Sequence, residues 1–409
     1  NAEELVGPQG GRGGDHGGAD NFVHLTLARI DGAPAGTKGI SLFAIPKFRE
    51  ENGHFHPNDV TTAGDFQKLG QRGYATTHLI FGENNDCHGW LVGEPHRGLH
   101  YMFQMMNEAR LGVGMTAASV AQAAYFSALQ YARERPQGRL PSNKNPLAPP
   151  IPIVQHADVR RMLMTQKCIV EGTISLGIEC GILADLANVA EGEAQKEAFY
   201  LLEILTPIMK AYGSEQGARA TALALQTLGG YGYTVDFPQA QFYRDIRIMS
   251  IYEGTTGIQS LDLLGRKMTM DGGAAFKILL KKILETADKS LTINELRSEA
   301  NALKIETGQL TEVVQHLSKI MASGQTDEFL SDATVFMEQI SLVVIGWQWL
   351  KLALRAGEPG RFSPEFYAGK IAATQFFFQY EMPHAAACAQ TILGNKNYLT
   401  VNLNENWLD

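Results

Sequence analysis

From Val113 to Arg133, small and apolar residues recur at spacings of three and four through Ala117, Val120, Ala121, Ala124 and Leu129. That period places side chains on one helical face, and side chains this small let helix axes approach closely. The pattern starts after Gly98, where Leu99, Met102, Phe103 and Met106 mark a face, so a long helix or a kinked pair is expected. Alanine-rich patterning returns over about 156–190 and 196–228, which predicts an all-α middle domain packed as a bundle. Between the first two helices, Pro136, Pro141, Pro146, Pro149, Pro150 and Pro152 exclude a helix and mark a loop.

Either side of this block the character changes. FVHLTLARI alternates through Val23, Leu25 and Leu27 in the period of a half-buried strand, DGAPAGTKG supplies turn residues, and ISLFAI ends at Pro46. A β-hairpin follows from this, and with a third apolar run at 76–81, residues 20–90 should be mostly β. Beyond Met268 the sequence DGG breaks the chain, and helical stretches are expected at about 274–288, 292–322 and 326–356. A last helix opens with Ser363 as cap and Pro364 at its first position. The fold class is α+β: a partial antiparallel β-domain (1–92), an all-α bundle (93–270) and an additional C-terminal helical domain (271–409). No fixed-period repeat suggests a solenoid.

Composition narrows the function. Thirty-five basic against 43 acidic residues give a formal charge of −8, so no global positive field exists to hold a nucleic acid backbone. Cys87, Cys168, Cys180 and Cys388 show no paired spacing, which suits a reducing, cytoplasmic setting and excludes a zinc ribbon. The greasiest stretch, 340–352, is interrupted by Ser341, Gly346 and Gln348 and is too short for the ~20 residues of a bilayer helix, so no membrane insertion is expected. The 11 histidines are scattered without a metal-binding pair, and metal ligands are expected to be none. Asn1 and the glycine-dense residues 7–18 suggest a chain that begins partway through a larger protein. Phe376, Phe377, Phe378 and Tyr380 read as helix packing, and of Trp347 and Trp349 one is expected to face a partner helix and the other an interface.

Residues 226–259, QTLGGYGYTVDFPQAQFYRDIRIMSIYEGTTGIQ, hold the densest run of chemically capable types. Gly229, Gly230 and Gly232 end a helical pattern, either as a C-cap and turn or as a place for close backbone approach to a cofactor. Glu253 follows an apolar-aromatic run with no basic residue close on its carboxyl side. It is either desolvated, with a raised pKa useful to a base, or at a helix start near the positive end of the dipole.

IYEGTTGIQ, preceded by LQTLGGYGYT and FYRDIRI, resembles the C-terminal signature of the acyl-CoA dehydrogenases, flavoenzymes that oxidise an acyl thioester to its 2-enoyl form. KGISLFAIPKF and KLGQRGYATTHLIF resemble the second half of that family's middle β-domain. GWLVGEPHRGLHYMFQMMNEARLGVG resembles the entry to its helical domain, and YARERPQGR and VQHADVRRML the segments that follow. Residues 274–409 resemble the extra domain of a bacterial subgroup with 3-methylthiopropanoyl-CoA dehydrogenase-like members. The family's N-terminal helical domain and its threonine- or serine-bearing flavin segment have no counterpart in the sequence, so the resemblance implies that the N-terminal part of the fold is missing here, and with it the contacts to one face of the flavin ring.

The resemblance implies roles residue by residue. Glu253 matches the base that takes the α-proton while hydride leaves the β-carbon for the flavin, and its backbone N–H, with a flavin hydroxyl, would hold the thioester oxygen. Tyr252 and Gly254 would line the thioester pocket, and Arg110 matches the arginine that approaches the acyl-CoA. The alternative base position of some relatives is Ala109 here, with Glu108 one residue off, about 100° around a helix. Arg135 and Gln137 match positions at the FAD pyrophosphate and adenosine half, contributed from a neighbouring subunit. Gln226, Gly229, Gly230 and Thr255 match further FAD contacts. Gly138 and Arg139 stand where many members have an aromatic followed by glycine, and Gly257 where many have glutamine. The implied function is FAD-dependent dehydrogenation of an acyl-CoA in fatty acid metabolism by a homodimer, with electrons passed to an electron-transferring flavoprotein. The rival is a nucleic-acid-associated or damage-response relative, but Lys277, Lys281 and Lys282 are offset by Glu285, Asp288, Glu295 and Glu299.

Overall fold

The computed structural model describes residues 21–358, 360–396, 399 and 400, so Asn1 and the glycine-dense 7–18 lie outside the described residues. Two compact units divide the chain, residues 1–109 and 110–409.

In the first unit, β1 (Val23–Arg29) pairs antiparallel with β2 (Ile40–Pro46), Val23 opposite Pro46 through to Arg29 opposite Ile40. This is the expected hairpin. Strands β3 (Phe48–Glu51) and β4 (His54–Pro57) form a second antiparallel ladder, β5 (Val60–Asp65) and β6 (Thr77–Phe81) a third, and β7 (Trp90–Val92) adds to the free edge of β2. β1 alternates, but its buried side is the opposite of the expected one: Thr26 is buried with His24 and Ala28 half-buried, while of the expected inner residues Leu27 alone is even half-buried. Leu27 lies opposite the buried Leu42, whereas Val23 is 62% exposed and Leu25 is exposed as well. β1 is an edge strand, and nothing among the described residues of this unit covers that end of its face.

Helix α1 (Gly98–Glu134) is one unbroken helix, not a kinked pair. In the second unit it is followed by α2 (Ala157–Val189), α3 (Gly192–Thr227), α4 (Gln239–Ile246) and α5 (Thr256–Asp262), close to the expected bounds. The alanines do what their spacing predicts: Ala117, Ala121, Ala124 and Ala128 are buried against Ile169, Val170, Ala220 and Ala224. Two glycines bring backbones into contact. A Cβ at Gly114 would lie 2.6 Å from the Met209 carbonyl oxygen, and one at Gly213 would lie 2.9 Å from that of Gly114. A turn further on, Gly217 meets Ala117, so α1 and α3 run side by side in one direction. Arg110, one turn before Gly114, therefore comes level with Lys210.

The DGG break is real. Asp271, Gly272 and Gly273 all have positive φ (45°, 64° and 79°), which no helix accepts. Beyond it come α6 (Ala274–Leu291), α7 (Arg297–Ala322), α8 (Thr326–Ser331), α9 (Ala333–Ala356), α10 (Pro364–Tyr380) and α11 (Pro383–Leu393). Ser363 caps α10, its Oγ accepting from the Phe366 N–H at 3.3 Å. Two expectations change. The stretch 326–356 is two helices, parted at the buried Asp332, whose carboxylate accepts from Asn395 at 2.5 Å. A further helix, α11, starts with Pro383 at its first turn, as α10 does with Pro364. Every residue from 339 to 350 is buried, so α9 is a central helix with no outward face over that stretch. Both tryptophans consequently point inward: Trp347 Nε1 donates to Thr286 Oγ1 at 2.9 Å and Trp349 Nε1 to the Cys168 carbonyl at 3.2 Å. The expected split between core and interface is therefore corrected. Among the described residues no helix is long and apolar enough to cross a membrane, and no group of three or more His, Cys, Asp or Glu could hold a metal ion.

Candidate active site

Glu253 sits on a short connection between Ser250 and the start of α5, not at a helix terminus. Its φ is +54° and that of Gly254 is +87°. Glycine adopts this conformation freely, but a residue with a Cβ keeps it only where its surroundings enforce it. Two helices do so. From α3, Lys210 Nζ donates to the Gly254 carbonyl at 2.6 Å. From α5, Gln259 Nε2 donates to the Glu253 carbonyl at 2.9 Å. Thr256 Oγ1 donates to Glu215 of α3 at 2.6 Å, and Thr255 caps α5 by accepting from the Ile258 N–H at 3.3 Å.

Of the two readings of Glu253, the structure selects the desolvated carboxylate. Burial raises its pKa, against the opposite pull of the Arg110 and Lys210 charges. Its carboxylate accepts no hydrogen bond among the described residues, and its backbone N–H finds no acceptor there. Arg110, at 2% exposure, is not an exposed helix arginine. Its guanidinium meets Asp262 at 3.1 Å, where α5 gives way to a π-helical turn, Leu263–Lys267. Burial alone would raise the Asp262 pKa. Its hydrogen bond to Arg266 and the charges of Arg266, Lys267 and Arg110 hold it below the ordinary aspartate range instead. Tyr252 packs partly against the alanine-rich core. Glu108 is exposed.

The residues matched to FAD contacts divide between two places. Thr255 belongs to the Glu253 turn. Arg135 lies just beyond α1, with its guanidinium 5.5 Å from the Tyr231 ring centroid and its Nε buried without a hydrogen-bond partner. A β-bridge between Pro136 and Pro152 holds this segment, with the Gln137 N–H donating to the Ile151 carbonyl at 2.9 Å. Gln226 is exposed at the last turn of α3, and the tight helix Gly229–Tyr233 continues from there. The glycines are thus both a helix end and an open surface: Gly229 has φ +60°, and nothing lies within 4 Å of a Cβ built at Gly229 or Gly230. At ~1.5 Å per residue, Gln226 lies about 24 Å along α3 from Lys210.

Sequence reading passed over Lys210, Gln259, Glu215 and Asp262. Lys210 was detectable. It stands between Met209 and Ala211 on the face that three and four residues later carries Gly213 and Ser214, so helical periodicity alone puts this lysine inside.

The family model for the acyl-CoA dehydrogenase C-terminal domain matches residues 96–268, and that described as acetyl-CoA dehydrogenase C-terminal like matches 279–400. The chain is 34% identical over 390 residues to the broad-specificity linear acyl-CoA dehydrogenase FadE5 of Mycobacterium tuberculosis, covering 91% of this chain and 64% of that protein. The chain belongs to the acyl-CoA dehydrogenase family. Another member, 3-methylmercaptopropionyl-CoA dehydrogenase of Ruegeria pomeroyi, is 36% identical over 385 residues, 91% of this chain and 63% of that protein. The chain thus spans a little under two thirds of the length of these family members. Caenorhabditis elegans ACDH-11, solved in complex with C11-CoA, shares the fold at 20% identity with a TM-score of 0.73, over 91% of this chain and 61% of that one. The FAD complex of a Bacillus anthracis acyl-CoA dehydrogenase aligns at 20% identity and a TM-score of 0.69, over 93% and 63%.

Proposed function

We propose that the protein dehydrogenates an acyl-CoA thioester between its α- and β-carbons with FAD, and that Glu253 is the base. The observation that carries this is a carboxylate held at a left-handed turn, desolvated and free of hydrogen bonds, beside two cations. An α-proton next to a thioester is too weakly acidic for water, so a positioned base with a raised pKa is what the reaction needs. Bound FAD supplies the acceptor for the β-hydrogen that departs as hydride. Glu253 takes the α-proton onto its carboxylate, and substrate entry, by excluding water, raises its pKa further. The Glu253 N–H is available to the thioester oxygen as negative charge develops there. Buried Arg110 and half-buried Tyr252 border the same turn, and Gly254, whose Cβ would lie 2.7 Å from Gln259 Nε2, lets that turn close against Gln259.

The outer cluster fits a flavin's phosphates. Arg135 has an aromatic face beneath it, a buried Nε without a partner, and no carboxylate paired with it among the described residues. Gly229 and Gly230 leave room where a side chain would stand, and, while Thr255 would meet a flavin from the Glu253 turn, Gln137 and Gln226 complete the proposed contacts of this corner. Its ~24 Å separation from Lys210 along α3 supports a homodimer in which this corner serves the partner's cofactor. We extend the reading to a partial β-domain at 1–92, a catalytic and dimerising bundle at 93–270 and a helical extension at 271–409. The electron acceptor is an electron-transferring flavoprotein, and four unpaired cysteines suit the cytoplasm and a role in fatty acid metabolism. Linear and sulfur-containing acyl chains are the first substrates to try, after the relatives' names.

The test is Glu253→Gln in the full-length protein, mixed anaerobically with these acyl-CoAs. FAD should remain bound while its reduction slows at least ~10²-fold, the lower end for a general base. Near-normal reduction would remove Glu253 from the role.

A further inference from the structure

Glu253 as base does not explain why a lysine is buried behind it. Lys210 is 0% exposed, and an ammonium in such a place persists only with partners. Its hydrogen bond goes to a backbone carbonyl, that of Gly254, and not to a carboxylate. The charges around it come from every side: Glu215 on its own helix, Arg110 on α1 and Glu253 on the turn. Gln259, equally buried, holds the adjoining carbonyl of Glu253. Both peptide units flanking the Gly254 Cα are therefore fastened from inside the bundle. Since N–H and C=O point oppositely in a trans peptide, the N–H groups of Gly254 and Thr255 are turned the other way.

We propose that Lys210 is a positioning residue for Glu253: it fastens the left-handed turn through the Gly254 carbonyl, and its charge sets the pH at which the carboxylate is free to accept a proton. The proposal rests on the reading of Glu253 as base. Its two parts are chemically separable. Lys210→Gln keeps a donor and loses the charge, whereas Lys210→Met loses both. Burial brings the Lys210 pKa down to about 8, against the pull of Glu215 and Glu253 and with the help of Arg110, so the ammonium is intact at neutral pH.

The experiment follows the Glu253 carboxyl by ¹³C NMR in the full-length FAD-loaded protein, its signal identified by its loss in Glu253→Gln, alongside the pH profile of flavin reduction. In wild type the signal should show a second step near pH 8, as Lys210 loses its proton. Both Lys210 variants should lose that step. In both, the carboxyl titration and the acid limb of the profile should move up by about one pH unit, the effect of removing an opposite charge nearby. Lys210→Met alone should also lower kcat at least about tenfold with KM little changed, because the turn is no longer held. A wild-type carboxyl with no step near pH 8 overturns the proposal without any variant having to fold. So does a Lys210→Gln titration indistinguishable from wild type. Normal flavin reduction by Glu253→Gln overturns the base itself, and is read separately from either.

Discussion

The Glu253 turn and the Arg135 corner are built in opposite ways. Around Glu253, α1, α3 and α5 supply Arg110, Lys210, Glu215 and Gln259, and both carbonyls of the turn have buried donors. At the other end of α3, Arg135 rests on Tyr231, while Tyr233 is 85% exposed and Gly229 and Gly230 face open space. A group that must meet one carbon-bound proton needs placement to a fraction of an ångström, which packing inside one unit can supply. A phosphate-binding guanidinium tolerates looser support because the ligand completes its geometry. The inner region is finished within the chain. The outer one stands open, as its proposed role at a flavin's phosphates would require.

The largest effect should come from wedging the helices that carry the inner region. Gly213→Val places branched carbons where even a Cβ lies 2.9 Å from the Gly114 carbonyl oxygen. Forcing α1 from α3 should cost ~3 kcal/mol or more and displace Arg110 and Lys210 together. A fall of several degrees in Tm is expected, with flavin reduction lost. An unchanged Tm would mean the crossing is not what aligns the two cations.

Arg135→Ala should show the reverse pattern. Losing charge-assisted hydrogen bonds worth ~1.5–3 kcal/mol weakens FAD retention on dilution by about 10–100-fold. Tm without FAD should stay near that of wild type, since Arg135 has no ion pair to lose among the described residues. Sedimentation sharpens the contrast. Wild type should carry FAD at full stoichiometry only as a species of two chain masses, and a single-chain species doing so would assign the corner to its own subunit's cofactor.

How much of this was legible in the sequence follows from the range of the interactions concerned. The β1–β2 hairpin, α2, α3 and the Ser363–Pro364 start of α10 rest on local period and capping, and they appear where expected. The division at Asp332 did not, because it depends on Asn395, 63 residues away. Trp347 and Trp349 were misjudged for a related reason. Spacing of two assigns them different helical faces but says nothing of neighbours on every side of α9. At the site, Glu253 could be singled out by its own surroundings, yet the choice between its two readings required its burial by distant segments, which outweighs the pull of Arg110 and Lys210.

The smallest effect, and the one whose sign is most informative, is on stability. In the folded protein the Glu253 carboxyl holds its proton more tightly than the ordinary value of 4.5, because burial disfavours the anion more than Arg110 and Lys210 favour it. Below that ordinary value both folded and unfolded chains are protonated, and the group contributes nothing. As pH rises from there to the raised folded value, the native state binds more protons than the unfolded one, so stability falls. Above it the loss is complete and constant. Glu253→Gln removes the buried anion and should raise Tm modestly at pH 7, an advantage that disappears near pH 4. No such pH-dependent gain is expected at the outer corner, where no carboxylate among the described residues pairs with Arg135. If Glu253→Gln instead lowers Tm at pH 7, the two cations outweigh burial and the turn is an ordinary structural ion cluster. If it raises Tm while flavin reduction is lost, the inner region is carrying a destabilised carboxylate that only the reaction requires.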